Sequence, residues 1–230
     1  MSCEQEKDVL REWRESAPYW AKHADTVRSM FAPITRALIE AGGISEGQSV
    51  LDVAGGSGEP SITISPVVGA SGSVVCTDAV AEMVGTARRE ARQRTLTNLE
   101  FSQCLAESLP FSDNTFDRVV CRLGVMLFPD PAAGIHEMLR VVKPGGQVSC
   151  AVWSGRDSNP FFQVVMDIMS RFVESLPEDP EAPGAFRFAE QGKLARLFSQ
   201  AGAIDVSERS LTFKLEAPIT PSQFWEVRVA

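Results

Sequence analysis

The sequence predicts a doubly wound α/β fold, a mostly parallel sheet with helices on both faces, and three observations predict it. Short apolar runs alternate with segments of helical periodicity from about residue 48 to residue 175. The first apolar run, Val50-Leu51-Asp52-Val53, passes straight into a glycine-rich turn, Ala54-Gly55-Gly56-Ser57-Gly58, and then into a helix start at Glu59-Pro60. The second, Ser73-Val74-Val75-Cys76-Thr77, ends in Asp78, 26 positions after Asp52. A strand, a glycine turn, a helix N-terminus and an acid at the end of the next strand form the first half of a nucleotide-binding βαβ unit.

The remaining elements follow from periodicity and punctuation. Residues 5–40 carry a helical stripe of Val9, Leu10, Trp13, Ala17, Trp20, Val27, Met30, Phe31, Ile34, Leu38 and Ile39. Pro18 and Pro33 punctuate it, so two or three short helices are expected before Gly42-Gly43. Strands are expected near 48–53, 73–77, 99–103, 116–121 and 146–152, with helices near 59–68, 80–93, 131–141 and 161–175. Pro66 should shorten or kink the first of these helices, and Lys143-Pro144-Gly145-Gly146 reads as the turn that launches the fifth strand. Residues 176–188 are proline-rich and acidic, a surface excursion ending in Phe186-Arg187-Phe188. A helix over 190–201 and a sixth strand over 204–215 should follow, then a helix opened by Thr220 and Pro221. No alternating apolar run follows Pro221, so the sheet should be incomplete at its C-terminal part. Its slot would be open or filled by a partner, a homodimer being one outcome. A shortened version of a longer protein is the related expectation.

The turn also speaks to its ligand. Dinucleotide folds use G-x-G-x-x-G and aim a helix N-terminus at the pyrophosphate. Counted from Gly56, the pattern here runs Gly56, Gly58 and then Ser61, without the third glycine. Glu59 brings negative charge to the place of a diphosphate, and Pro60 removes a first-turn donor. Both suit a ligand offering an ammonium and a carboxylate beside an adenosine, which describes S-adenosylmethionine. Glu59 as an ordinary first-turn acid is the alternative reading.

The segments VLDVAGGSGEP, VVCTDAVAEMVGTAR, LEFSQCLAESLPFSDNTFDRVVCRLGVMLF and HEMLRVVKPGGQV resemble, in order and spacing, the class I S-adenosylmethionine-dependent methyltransferases. Among these they are similar to the branch of the ubiquinone/menaquinone C-methyltransferases, over roughly residues 45–155. The resemblance implies a Rossmann-like core that binds S-adenosylmethionine under an N-terminal helical lid. Asp52 and the turn of Ala54, Gly55, Gly56, Ser57 and Gly58 would hold the methionine end, with Tyr19 a contact to its carboxylate. Asp78 would accept from the ribose hydroxyls, and Ala79 and Met83 would line the adenine. Leu105-Ala106-Glu107 falls where the family has an acid contacting the adenine amino group, and Leu105 stands in its place. An arginine of the quinone enzymes has Met126 at its position here, which counts against quinone chemistry.

Methyl transfer from a sulfonium needs a well-placed acceptor more than a triad, and the sequence holds none. Arg122, at the end of the fourth strand, is a candidate for cofactor binding or catalysis, and His23 for an acceptor-side base. Trp153, Phe186 and Phe188 are candidates for the acceptor pocket. His136 reads as a solvent residue.

Composition bounds the rest. At 230 residues and 44% hydrophobic, the chain is expected to be one methyltransferase domain: a helical lid (1–43), a cofactor-binding core (44–155) and acceptor-side helices with the sixth strand (156–230). No apolar run approaches membrane-spanning length, and MSCEQEKDVLREW lacks the apolar stretch of a signal peptide. A net charge of −8 argues against a nucleic-acid substrate and for a small-molecule acceptor. The five cysteines have no C-x-x-C spacing, so neither zinc nor a disulfide framework is expected, and a cytoplasmic location is. Two rivals stand beside the methyltransferase reading: a nicotinamide-dinucleotide-dependent oxidoreductase, and a non-catalytic cofactor-binding protein with the same fold.

Overall fold

The computed structural model describes residues 3–169, 171–172, 179–216, 220 and 222. Two helices, α1 (Cys3–Lys22) and α2 (Ala24–Ala41), precede an alternating core. That core runs β1 (Ser49–Asp52), α3 (Ser61–Val68), β2 (Ser73–Asp78), α4 (Ala81–Gln93), β3 (Leu99–Gln103), β4 (Phe116–Arg122), α5 (Pro131–Val141) and β5 (Val142–Ala151). Then come α6 (Pro160–Met169) and α7 (Lys193–Gln200). The five strands form one parallel sheet in the order β3-β2-β1-β4-β5. The order reverses between β1 and β4, and ligands of doubly wound sheets bind in the crevice at that switch point.

The register explains why both faces are apolar. Leu51 lies opposite Val75 and Val119, and Val50 opposite Val74 and Arg118. Side chains alternate across the sheet, so each strand must bury two sets. Val50, Val74, Cys76 and Val120 pack with Ile62, Ile64 and Val68 of α3 and Ala87 and Ala91 of α4. Leu51, Val53, Val119 and Cys121 pack with Ile135, Met138 and Val141 of α5 and Phe198 of α7. Asp130 caps α5 by accepting from the Ala133 N–H at 3.0 Å, and Pro131 occupies its first position.

Helix α2 lies across β4 and β5 and is pinned at both ends of them. Arg118 Nε donates to the Gly42 carbonyl at 2.6 Å, and Gln147 Nε2 donates to that of Ala41 at 2.8 Å. One turn deeper, Arg122 reaches Thr35. These anchors carry the N-terminal half of α2 over the carboxyl edge of the sheet.

Three expectations need correction. Pro18 and Pro33 lie inside α1 and α2, and the chain breaks at His23 instead. Residues 143–146 are already part of β5, with the irregularity taken up by a register shift between Phe116 and Arg118. Residues 204–215 form no strand, because Ser207-Glu208-Arg209-Ser210 is a continuous exposed polar run and Ile204 and Leu211 are exposed too. A strand needs an alternating apolar face to dock, and here only Val206 and Phe213 touch the core. Among the described residues the sheet therefore has five strands rather than six. The helix expected after Thr220 falls, Thr220 and Ser222 apart, outside the described residues, as does most of the end of the one expected over 161–175.

Candidate active site

Strands β1 and β2 end in Asp52 and Asp78, and the 54–58 turn lies between these two carboxylates. Asp52 is fully buried. Its Oδ2 accepts from the backbone N–H of Ser61 at 3.1 Å and from Ser61 Oγ at 2.6 Å, so a protein carboxylate already sits at the N-terminus of α3. Its Oδ1 is buried and has no hydrogen-bond partner among the described residues. Burial pushes the Asp52 carboxyl up to about 7, against the opposing pull of Ser61 and Arg122. Asp78 closes on the turn from the other side. Its Oδ2 accepts from the Gly56 N–H at 3.0 Å and its Oδ1 from the Val80 N–H at 2.9 Å. Burial raises its pKa as well, and those backbone bonds work the other way.

The turn needs its glycines for two different reasons. A Cβ on Gly55 would stand 2.6 Å from Asp52 Oδ2 and 2.7 Å from Cys76 Sγ, a distance real atoms do not reach. Gly56, at φ 56°, is in the left-handed region and would meet nothing within 4 Å, so this side of the turn is open. Ala54 shares that conformation at φ 57°, and its Cβ abuts Gly124 beyond β4.

Glu59 is turned away from the ligand question. It is 8% exposed, takes both bonds of Thr63 Oγ1 (2.8 and 3.1 Å) and lies 2.9 Å from Arg28 Nε on α2. Arg28 Nη2 also pairs with Asp25 at 2.9 Å and with Glu90 of α4 at 3.2 Å. The turn, α2 and α4 are thereby locked in one ionic cluster. Arg122 donates from Nη1 to Thr35 Oγ1 at 3.0 Å. Burial lowers its pKa, and the charges of Glu59 and Asp52 oppose that.

The other expected cofactor-side residues and His23 fall into four groups. Met83 and Val80 are buried against Ala17 of α1, with Leu10, Trp13 and Trp20 packed around them. Ala79 follows β2 and accepts from Gln103 Nε2 at 3.1 Å. Tyr19 and His23 face each other at the junction of α1 and α2, ring centroids 4.8 Å apart, and His23 Nε2 is buried with no hydrogen-bond partner among the described residues. The Cys104 N–H bonds to the Asp78 carbonyl at 3.0 Å, bringing Leu105 beside the end of β2. Ala106 enters the core, and Glu107 Oε1 accepts from the Asp130 N–H at 3.1 Å, so that acid serves the loop before α5.

Trp153 and Phe186 come together, and Phe188 does not join them. Phe31 of α2, Trp153, Phe162 of α6 and Phe186 form a chain of edge-on rings, with centroids 5.7, 5.1 and 5.3 Å apart. Phe188 lies instead under Arg187 and Lys193. Sequence reading missed Phe31, Phe162, Thr35 and Arg28. Phe31 and Thr35 are one helical turn apart, which was the available signal. A groove of about 490 Å³ lies between α1 and α4, lined by Ala17, Ala21, Ala81 and Gly85 among others, beside the turn rather than at it. Among the described residues no cluster of metal-ligating side chains occurs, and no helix is long and apolar enough to cross a membrane.

A parallel sheet with this switch point, a glycine turn held by two strand-end carboxylates and no third glycine define the class I S-adenosylmethionine-dependent methyltransferases. The sequence profile of the ubiE/COQ5 methyltransferase family matches residues 34–219, and the chain belongs to that family. It is 32% identical over 183 residues to a demethylmenaquinone methyltransferase of a Geobacillus species, covering 76% of this chain and 78% of that protein. It is 36% identical over 137 residues to an uncharacterized protein of Mycobacterium tuberculosis, covering 59% of this chain and 48% of that one, so it spans about half of that relative's length. A crystal structure of an S-adenosylmethionine-dependent methyltransferase from Aquifex aeolicus shares the fold. The TM-score is 0.57 at 23% identity, over 76% of this chain and 81% of that one.

Proposed function

We propose that this chain transfers the methyl group of S-adenosylmethionine to a small, apolar or aromatic acceptor. One observation carries the reading: Asp52 and Asp78 bracket an open glycine turn, and a buried Asp52 oxygen has no hydrogen-bond partner among the described residues. A carboxylate oxygen of this kind takes a cation or a hydrogen-bond donor, and an amino-acid ammonium is both. The residues Asp52, Ala54, Gly55, Gly56, Ser57, Gly58 and Tyr19 hold the methionine end in this reading. Asp78 takes the ribose, and Ala79, Met83 and the Leu105–Glu107 loop border the adenine. When bound, the sulfonium supplies an already activated methyl carbon. The chain's own part is to exclude water and orient the acceptor against the ring wall of Phe31, Trp153, Phe162 and Phe186. His23 is the candidate to take a proton from the acceptor.

A dinucleotide is disfavoured on the same geometry. The α3 N-terminus that would bind its pyrophosphate is filled by the Asp52 carboxylate. The name of the Geobacillus relative makes a demethylated menaquinol one acceptor to test, alongside other aromatic acceptors. Calorimetry with S-adenosylhomocysteine and with NAD separates the readings. Binding of NAD and not of S-adenosylhomocysteine would overturn ours.

Asp52 adds a pH signature. Its folded pKa of about 7 lies above the unfolded value near 3.9, so the folded state holds the proton longer. This group's contribution to stability is present at acid pH and is lost as pH rises through about 7. A bound cation favours the ionised form, so cofactor affinity should rise from about pH 6 to pH 8 and then level off. Titrations at pH 7 in buffers of different ionisation enthalpy should show proton release on binding. Asp52→Asn should abolish that release, and unchanged release in this variant would remove Asp52 from the site.

We read residues 1–43 as a lid on the 44–155 core, with 156–230 supplying the acceptor side. Ala17, Trp13 and Trp20 of α1 lie on Val80 and Met83, beside the turn, whereas α2 is tied to the sheet by three side-chain bonds. Deleting residues 1–24 should leave a folded core with much weaker cofactor binding. Normal S-adenosylhomocysteine affinity in that truncation would refute the lid.

A further inference from the structure

Two neighbouring strand ends and one face of α2 bring a cation and the ring wall to the same edge of the sheet. Arg122 closes β4, and it pairs in register with Ala151 of β5, two residues before Trp153. On α2, Thr35 holds the Arg122 guanidinium at 3.0 Å, and Phe31, one turn earlier on the same face, packs on Trp153 at 5.7 Å. The Thr35 bond is the one side-chain hydrogen bond of Arg122 among the described residues, although a guanidinium carries five donors, and the charges of Glu59 and Asp52 act on it from farther off. Its Nη1 is spent on Thr35, which turns the planar group and leaves the rest of the fork for something else. At the other end of the wall, the Arg156 guanidinium stands 5.2 Å from the Phe186 ring centroid. A chain of net charge −8 thus sets a cation at each end of its aromatic wall.

Unused guanidinium donors of Arg122 near flat rings suit a flat ligand with negative charge. A neutral hydroxyl needs one donor, whereas a carboxylate matches the planar fork with two parallel bonds. Resting on the acceptor pocket proposed above, we propose that Arg122 is a specificity-determining residue that binds a carboxylate carried by an aromatic acceptor. The ring stacks along Phe31 and Trp153, and the carboxylate points to the end of β4. The charge fixes which edge of the ring faces the methyl donor. A neutral acceptor of the same shape lacks that anchor and leaves the remaining guanidinium donors without a charged acceptor.

A carboxylate at this position has a second source, the methionine end of the cofactor, and the test separates the two. The probes are 2-naphthoate and its neutral isostere 2-naphthamide, titrated by calorimetry into protein saturated with S-adenosylhomocysteine. The wild type should bind 2-naphthoate at least about tenfold more tightly than 2-naphthamide, the usual gain of a charge-assisted pair. Arg122→Gln should erase that preference, measured at an S-adenosylhomocysteine concentration that still saturates the variant. Arg122→Lys should keep part of the preference, since the charge remains and the fork is lost.

Equal binding of the two probes by the wild type overturns the proposal without reference to any variant, so a variant that fails to fold does not protect it. It is also overturned if Arg122→Gln keeps the preference but loses S-adenosylhomocysteine, because the carboxylate held is then the cofactor's. Absence of S-adenosylhomocysteine binding by the wild type strikes the cofactor reading instead. In that case the naphthoate preference, measured on the protein alone, still decides for or against Arg122.

Discussion

Replacing Arg28 with alanine should destabilise the fold by about 2 kcal/mol. The reason lies in Glu59, whose side chain is 7% exposed and whose carboxylate rests 2.9 Å from Arg28 Nε. Burial already raises the Glu59 pKa, with Thr63 as the leading opposition and Arg122, Arg28 and Arg94 behind it. Removing Arg28 takes away the nearest cation, whose Nε makes no hydrogen bond among the described residues, and leaves the buried carboxylate to Thr63 and the charges of Arg122 and Arg94. Truncating one partner of such a pair costs more than the pair itself contributes. The neighbouring pairs do not share this cost. Asp25 is largely exposed, and Glu90 keeps Arg94 at 2.7 Å. The check is urea unfolding of Arg28→Ala, Glu59→Gln and the double variant. A coupling energy near the full single-variant loss is expected, because glutamine needs no counter-charge. A loss under about 1 kcal/mol in Arg28→Ala would show that Glu59 does not depend on α2.

Cofactor affinity should fall about 10- to 100-fold in Asp78→Ala, or roughly 1.5–3 kcal/mol. Two effects add there. The ribose hydroxyls lose a charged acceptor. In the free protein, Asp78 also braces the site by accepting from the Gly56 and Val80 N–H groups, at 3.0 and 2.9 Å. Asparagine keeps one carbonyl acceptor, so Asp78→Asn should fall between the wild type and alanine. Calorimetry with S-adenosylhomocysteine reads the difference, and wild-type affinity in Asp78→Ala would take the acid out of the site.

Five strands were legible in the sequence, within a few residues of where they form, because a two-sided buried strand writes itself as a continuous apolar run. The turn at 54–58 was legible for a related reason. Gly55 is required by atoms only three and 21 positions away, the Asp52 carboxylate and the Cys76 sulfur, both already placed by the strands. The sixth strand was misread where the signal was thinnest. Residues 204–215 hold β-branched and apolar residues, but their alternation is broken by four successive polar ones. Proline misled as well: Pro18 sits in a helix packed on α4 and Pro33 in one packed on β4 and β5, and that packing outweighs a missing N–H.

What the sequence determined by itself is the five core strands with the helices between them, their parallel alternation, the glycine turn and the acids at the ends of β1 and β2. Each depends on local propensity or on a spacing that the strand fixes. Only the tertiary structure decided which charges meet. Arg28 and Glu59 are 31 positions apart, Thr35 and Arg122 87 positions apart, and Phe31 reaches Trp153 across more than half the chain. Nothing in the pattern of any one segment announces such a partner. A side chain at the end of a helix or strand is aimed by the crossing of α2 over β4 and β5, and that crossing is set by the whole core.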